Sequence, residues 1–213
     1  MIKNNKIKLI ISSIIIILPM FVGLLLWDKL PEKMVVHFGI NNEADGFTSK
    51  YFTVFGMPIV LLALQWLGTI VTAFDRKNKD QNKKIFGMVF WIVPLISVFA
   101  NGVIYAYALG KNVDVGFFAL VLLGLMFMVI GNYLPKCKQN NTIGIKLPWT
   151  LKDEIVWQKT HRLSGIVWVI GGIIVFASAF LPMDKFLFVP VAAILLMVII
   201  PLVYSIAIYK RRG

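Results

Sequence analysis

Cysteine, histidine and acidic residues are scarce in this chain. Among 213 residues there is one cysteine, Cys137. That excludes an intramolecular disulfide framework and any site built from several thiolates. There are two histidines, His37 and His161, on segments expected to face opposite sides of a membrane, so they cannot share one metal. Acidic residues number 10 and all charged residues make up 15%, well under the roughly 25% of a soluble domain. Hydrophobic residues fill 59% and the mean hydropathy is +0.81. So few charges cannot cover that much apolar surface in water, and the same numbers exclude disorder. The H-E-x-x-H, G-x-S-x-G and phosphate-loop motifs are also missing.

What the chain has is long apolar runs. Six are long enough to cross a bilayer as helices: residues 9–27, 52–74, 85–108, 114–134, 163–182 and 186–208. The fold class is therefore all-α, a polytopic membrane protein of six transmembrane helices. The first run follows Lys3, Lys6 and Lys8, but it is too long for a signal-peptide core and has no A-x-A-like site after it. It reads as an uncleaved first helix. The net charge of +12 follows topology. Of the 22 Lys and Arg, 17 fall before span one, between spans two and three, between four and five, and after six. The positive-inside rule then puts both termini in the cytoplasm. Basic charge spread in this way predicts no direct nucleic-acid binding.

The span interiors lack Asp, Glu, Lys, Arg and His; Asp75, Lys111, Asp114, Asp184 and Lys185 stand at span ends. Ion-coupled transport normally uses such buried groups. Gln65, Ser97, Asn101 and Asn132 are the main polar groups at membrane depth and read as helix-to-helix hydrogen bonds. Neither catalysis nor a cofactor is expected.

Two connections are long. The first, residues 28–51, faces outward in this topology. Val35, Val36 and Phe38 favour a short extended piece, and Asn41-Asn42-Glu43-Ala44-Asp45-Gly46 a tight turn. That cluster resembles the opening of a calcium loop, but Phe52 stands where the bidentate Glu would be needed. The second connection, residues 135–162, is cytoplasmic. A helix is expected to begin with Thr150 as N-cap, answered by Asp153, and to carry Trp157 and His161 into the fifth span. Trp149 and Trp157 suit the membrane interface, with Lys152, Lys159 and Arg162 reaching anionic lipid. By chain order, 1–134 forms an N-terminal four-helix part, 135–162 a signature segment and 163–213 a C-terminal two-helix part.

The order of residue types Asn132, Pro135, Asn140, Gly144, Pro148-Trp149-Thr150, Trp157 and Thr160-His161-Arg162 resembles the signature of the SdpI-type family of bacterial membrane proteins. The outer segment, with Pro31, His37-Phe38, Gly46 and Lys50, resembles the N-terminal segment that accompanies it. The resemblance implies immunity to a secreted, membrane-active killing peptide. It also implies a toxin-sensing role in which a cytoplasmic transcriptional repressor is drawn to the membrane. On that reading Pro31, His37, Phe38, Gly46 and Lys50 face the toxin, and the signature residues serve the partner. Membrane lipid is the remaining partner. The alternative is a small permease or an accessory membrane subunit.

Overall fold

A computed structural model describes residues 5–39, 43–81, 83–181 and 188–212. Asn41 and Asn42 of the expected turn, Lys3, Asp184, Lys185 and the first two residues of the expected sixth span lie outside the described residues. The elements in chain order are helix α1 (Lys6–Leu25), strands β1 (Lys33–Phe38) and β2 (Ala44–Ser49), and helices α2 (Met57–Phe74), α3 (Lys83–Ala108), α4 (Val115–Tyr133), α5 (Pro148–Lys152), α6 (Glu154–Ser178) and α7 (Phe188–Lys210). Among the described residues, six helical stretches are long and apolar enough to cross a membrane, the second beginning with a π-helical turn at Phe52–Gly56. The side chains they expose are mostly Ile, Leu, Val and Phe, as a lipid-facing surface requires.

The chain forms two compact units. One holds residues 1–73 and 87–115, the other residues 74–86 and 116–213. The fourth span therefore sits with the signature segment and the last two spans.

In the first unit, α1 carries Pro19 in its interior, which removes one backbone donor. Hydroxyls from α3 supply nearby carbonyls: Ser97 Oγ donates to Ile16 O (2.9 Å) and Tyr105 Oη to Pro19 O (3.0 Å). Gln65 Nε2 of α2 donates to Val89 O of α3 (3.1 Å). Ser97 and Gln65 thus make helix-to-helix bonds. Asn101 instead bonds Ser97 O within its own helix, and Asn132 is exposed.

The first connection is an antiparallel hairpin. Lys33 pairs with Ser49, Met34 with Thr48, Val35 with Phe47 and His37 with Gly46, with register irregularities around His37. The extended piece is β1, but Asp45 and Gly46 belong to a second strand and not to a turn. Pairing with β1 gives β2 the backbone bonds that its composition does not favour by itself. Gly46 permits the close approach, since a Cβ there would lie 2.6 Å from His37 Cβ. Met34 is fully buried against Leu30, Val54, Ile104 and Tyr105, which seats the hairpin on the ends of its helices.

In the second unit, α4 and α6 run antiparallel with their backbones in contact. A Cβ at Gly124 would meet Phe176 N at 2.6 Å, at Gly131 Val169 N at 2.8 Å, and at Gly172 Met128 N at 2.7 Å. Small residues let membrane helices approach so that dispersion between backbones holds them. Helix α7 also packs against α6, where Trp168 Nε1 donates to Met197 O (3.1 Å).

Candidate functional site

The signature segment folds over the first two turns of α6. The fifth span begins at Glu154, nine residues before the apolar run does. Two helices replace the single one expected from Thr150. Pro148, with its fixed φ, opens α5 at its first position. Asp153 then takes an extended conformation and caps α6, accepting from Ile155 N (2.8 Å) and Val156 N (3.1 Å). Thr150 is no N-cap: its hydroxyl accepts from Leu147 N (2.9 Å) and donates to Ile145 O (2.8 Å). The Arg212 hydrogen bond at 2.8 Å, followed by the cap bonds, holds the Asp153 carboxyl below the usual carboxylate range.

Trp157 is completely buried, not interfacial. It packs with Ile85 and Cys137, and Ile143 and Leu151 close the cluster. Its Nε1 donates to Cys137 O (2.8 Å), so the one polar atom of a large ring finds a partner in the interior. His161 stacks on it, ring centroids 4.0 Å apart. Ile145 N donates to His161 Nε2 (2.9 Å), which leaves Nδ1 to carry the proton and donate to Trp157 O (2.9 Å). The imidazole is thereby a neutral strut between the loop and α6.

Gly144, at φ +113°, allows that seating. A Cβ would fall 2.4 Å from His161 Nε2 and 3.1 Å from the Trp157 ring. Asn140, fully buried, ties the turn: Nδ2 donates to Lys138 O (2.8 Å) and Ile143 O (2.9 Å), and Oδ1 accepts from Thr142 N (2.8 Å) and Ile143 N (2.6 Å). Pro135 lies on Gly165, whose Cβ would meet Pro135 Cγ at 2.5 Å. Thr160 is buried, and its carbonyl accepts from Ser164 Oγ (2.6 Å). Trp149 is half-buried and donates through Nε1 to Ser205 Oγ of α7 (2.9 Å).

Three residues outside the signature complete this frame. Gln81 pairs with the backbone of Lys138 in both directions, Nε2 to Lys138 O and Lys138 N to Oε1, each at 3.0 Å. Asp75 accepts from Asn141 N (2.7 Å), and Asn78 Nδ2 donates to Thr142 Oγ1 (2.8 Å). Their mixed polarity in a short basic connection is the one sequence signal they carry. Burial pushes the Cys137 thiol up to about 11, against weaker lowering by Asn140 and Gln81. Cys137 Sγ is in contact with Asn140 and Ile143 O, and His161 with Ile145 and Trp157, so each has partners other than the other.

The signature residues thus divide. Asn140, Gly144, Thr150, Trp157, Thr160 and His161 build the frame, while Asn132, Pro135, Pro148 and Arg162 are exposed on it.

On the hairpin, Pro31 and His37 are exposed, and His37 Nδ1 meets Asp45 Oδ1. Phe38 is half-buried edge-on to Tyr107, centroids 5.0 Å apart. Lys50 is buried: its ammonium pairs with Glu32 (2.7 Å), donates to Leu30 O (3.3 Å) and lies 4.6 Å from the centre of the Trp27 ring. It clasps the hairpin base to the end of α1.

Six apolar helices carrying one framed loop and one seated hairpin define a multi-pass protein of the cell membrane. The SdpI/YfhL protein family model matches residues 136–205, covering the framed loop, α6 and most of α7. A domain of unknown function (DUF1648) matches residues 14–62, covering most of α1, the hairpin and the start of α2. The chain is similar to Immunity protein SdpI of Bacillus subtilis (strain 168), 27% identical over 204 residues, spanning 96% of this chain and 97% of that protein. The resemblance to the SdpI-type family therefore holds over nearly the whole chain. No solved structure matches.

Proposed function

We propose that this chain is a membrane immunity protein that protects the cell carrying it from a secreted, membrane-active peptide toxin. The observation that carries the reading is the similarity to Immunity protein SdpI along 96% of the chain. The topology proposed with it puts both termini and the framed loop in the cytoplasm and the hairpin outside, on the 17-to-5 split of Lys and Arg. Pro31, His37 and Phe38 are then the accessible toxin-facing groups, while Gly46 and Lys50 act by holding the hairpin in shape.

The finer proposal is that the protein also senses the toxin and draws a cytoplasmic transcriptional repressor to the membrane. The rigid frame supports it, because an interface needs a preorganised surface and the loop is fixed from three sides. Its contact residues would be Asn132, Pro135, Pro148, Trp149 and Arg162.

The test is expression in a toxin-sensitive Gram-positive host challenged with a killing peptide of the SDP type, with membrane level measured in parallel. Protection at normal membrane level is the expected result. A well-inserted protein that gives none overturns the immunity reading for that toxin class. For sensing, Arg162→Glu should abolish toxin-induced reporter expression yet leave membrane level intact; unchanged induction refutes the assigned surface.

A further inference from the structure

A groove of about 650 Å³ lies between the start of α6 and the end of α7. Its lining changes character along its length. At one end stand four exposed cations: Lys159 and Arg162 from α6, and Arg211 and Arg212 just after α7. Further along both helices the wall becomes apolar, through Leu163 and Ile166 on α6 and Tyr204 and Ile208 on α7. Beyond the groove the same face of α6 exposes Ile170 and Ile173.

Among the described residues, no acid lines this groove. Asp153 engages Arg212 at 2.8 Å, so one of the four cations is partly neutralised and three face the opening without a carboxylate among the groove's residues. A soluble protein partner would not match a cationic mouth that passes directly into the lipid-facing surface of two membrane-spanning helices. An anionic headgroup attached to acyl chains matches both parts. Arginine suits the phosphate, because its planar fork donates two parallel bonds to it.

We infer that this groove binds an anionic phospholipid, with the phosphate held by Arg162 and Arg211 and an acyl chain along Ile166 and Ile170. The site shares Arg162 with the surface proposed for the repressor, but its test reads lipid retention and uses neither toxin protection nor reporter induction.

The probe is phosphatidylglycerol against phosphatidylcholine, added to the full chain purified in detergent, with retained lipid read by native mass spectrometry. Phosphatidylglycerol should be retained selectively. The pair Arg162→Gln and Arg211→Gln should weaken retention about thirty-fold, as expected for two basic groups at an anionic surface. The pair Arg162→Lys and Arg211→Lys should keep much of it, and Lys6→Gln with Lys8→Gln should leave it unchanged. Equal retention of both lipids, or undiminished retention by the Gln pair, overturns the site. Displacement by 10 mM inorganic phosphate, on the order of a weak anion site, would assign it to a free anion instead. A photoreactive residue replacing Ile166 should crosslink lipid in cells; a crosslink to protein would overturn the proposal in favour of a protein partner.

Discussion

Replacing Gly144 by alanine tests the frame at its tightest point. Two costs add. At φ +113° a side chain is strained, by roughly 1–2 kcal/mol. The new methyl would also lie 2.4 Å from His161 Nε2. The imidazole must move and Ile145 N, a partly buried donor, loses its acceptor, which costs roughly 1–3 kcal/mol. The sum is about 3 kcal/mol, which lowers a melting midpoint by roughly 6–12 °C in a chain of this size. The assay is thermal unfolding of the detergent-solubilised protein, followed by fluorescence-detected size exclusion, beside Lys146→Ala as an exposed control. The double variant with His161→Ala sharpens it. If the clash is with the imidazole, the two losses should fall short of adding by about 1 kcal/mol or more. A Gly144→Ala protein that melts with the native one, or strict additivity in the double variant, refutes the reasoning.

Gly131→Leu or Gly172→Val should cost about 1–3 kcal/mol or more by forcing α4 from α6 and should reduce membrane accumulation. Gly102→Leu, with open space around it, should not. Trp157→Ala should lose about 3–5 kcal/mol in the same melting assay. The Cys137 thiol, raised from 9.0 to about 11, binds its proton more tightly folded than unfolded. Its contribution is complete below pH 9 and is lost as pH rises towards 11, a loss that Cys137→Ala should remove from the stability profile. Asp153, held low by Arg212, contributes in the opposite sense. Its contribution is present above the usual carboxylate range and lost as pH falls through its lowered value, and Asp153→Asn should flatten the acid limb.

The apolar runs made the six spans legible, because a bilayer leaves little freedom in length or composition. A helix leading into the fifth span was legible, but its start at Glu154 and the burial of its first turns were not. Glu154, Gln158, Lys159, His161 and Arg162 give residues 154–162 a polar look, and Trp157 reads locally as an interfacial ring. Both rings are buried only because the loop carrying Gly144 and Ile145 folds back on them, a contact across 16 residues. Strand β2 was hidden for a similar reason, since Asp45 and Gly46 are turn residues by local preference and strand residues only beside β1. The signature residues themselves could be found in order. What could not be read was their division into interior and surface, or the part played by Asp75, Asn78 and Gln81, whose partners lie 57 to 66 residues away.

The pair of hydrogen bonds between Gln81 and Lys138 is made by main chain at one end and by a side chain at the other. Substitutional tolerance at the two positions should therefore be lopsided. Nearly any residue at 138 preserves both bonds, proline excepted, because it lacks the N–H. Position 81 needs a carboxamide of this length, and glutamate keeps only the acceptor. A saturation scan would find one position permissive and its partner strict, and covariation between them would be silent although they are in direct contact.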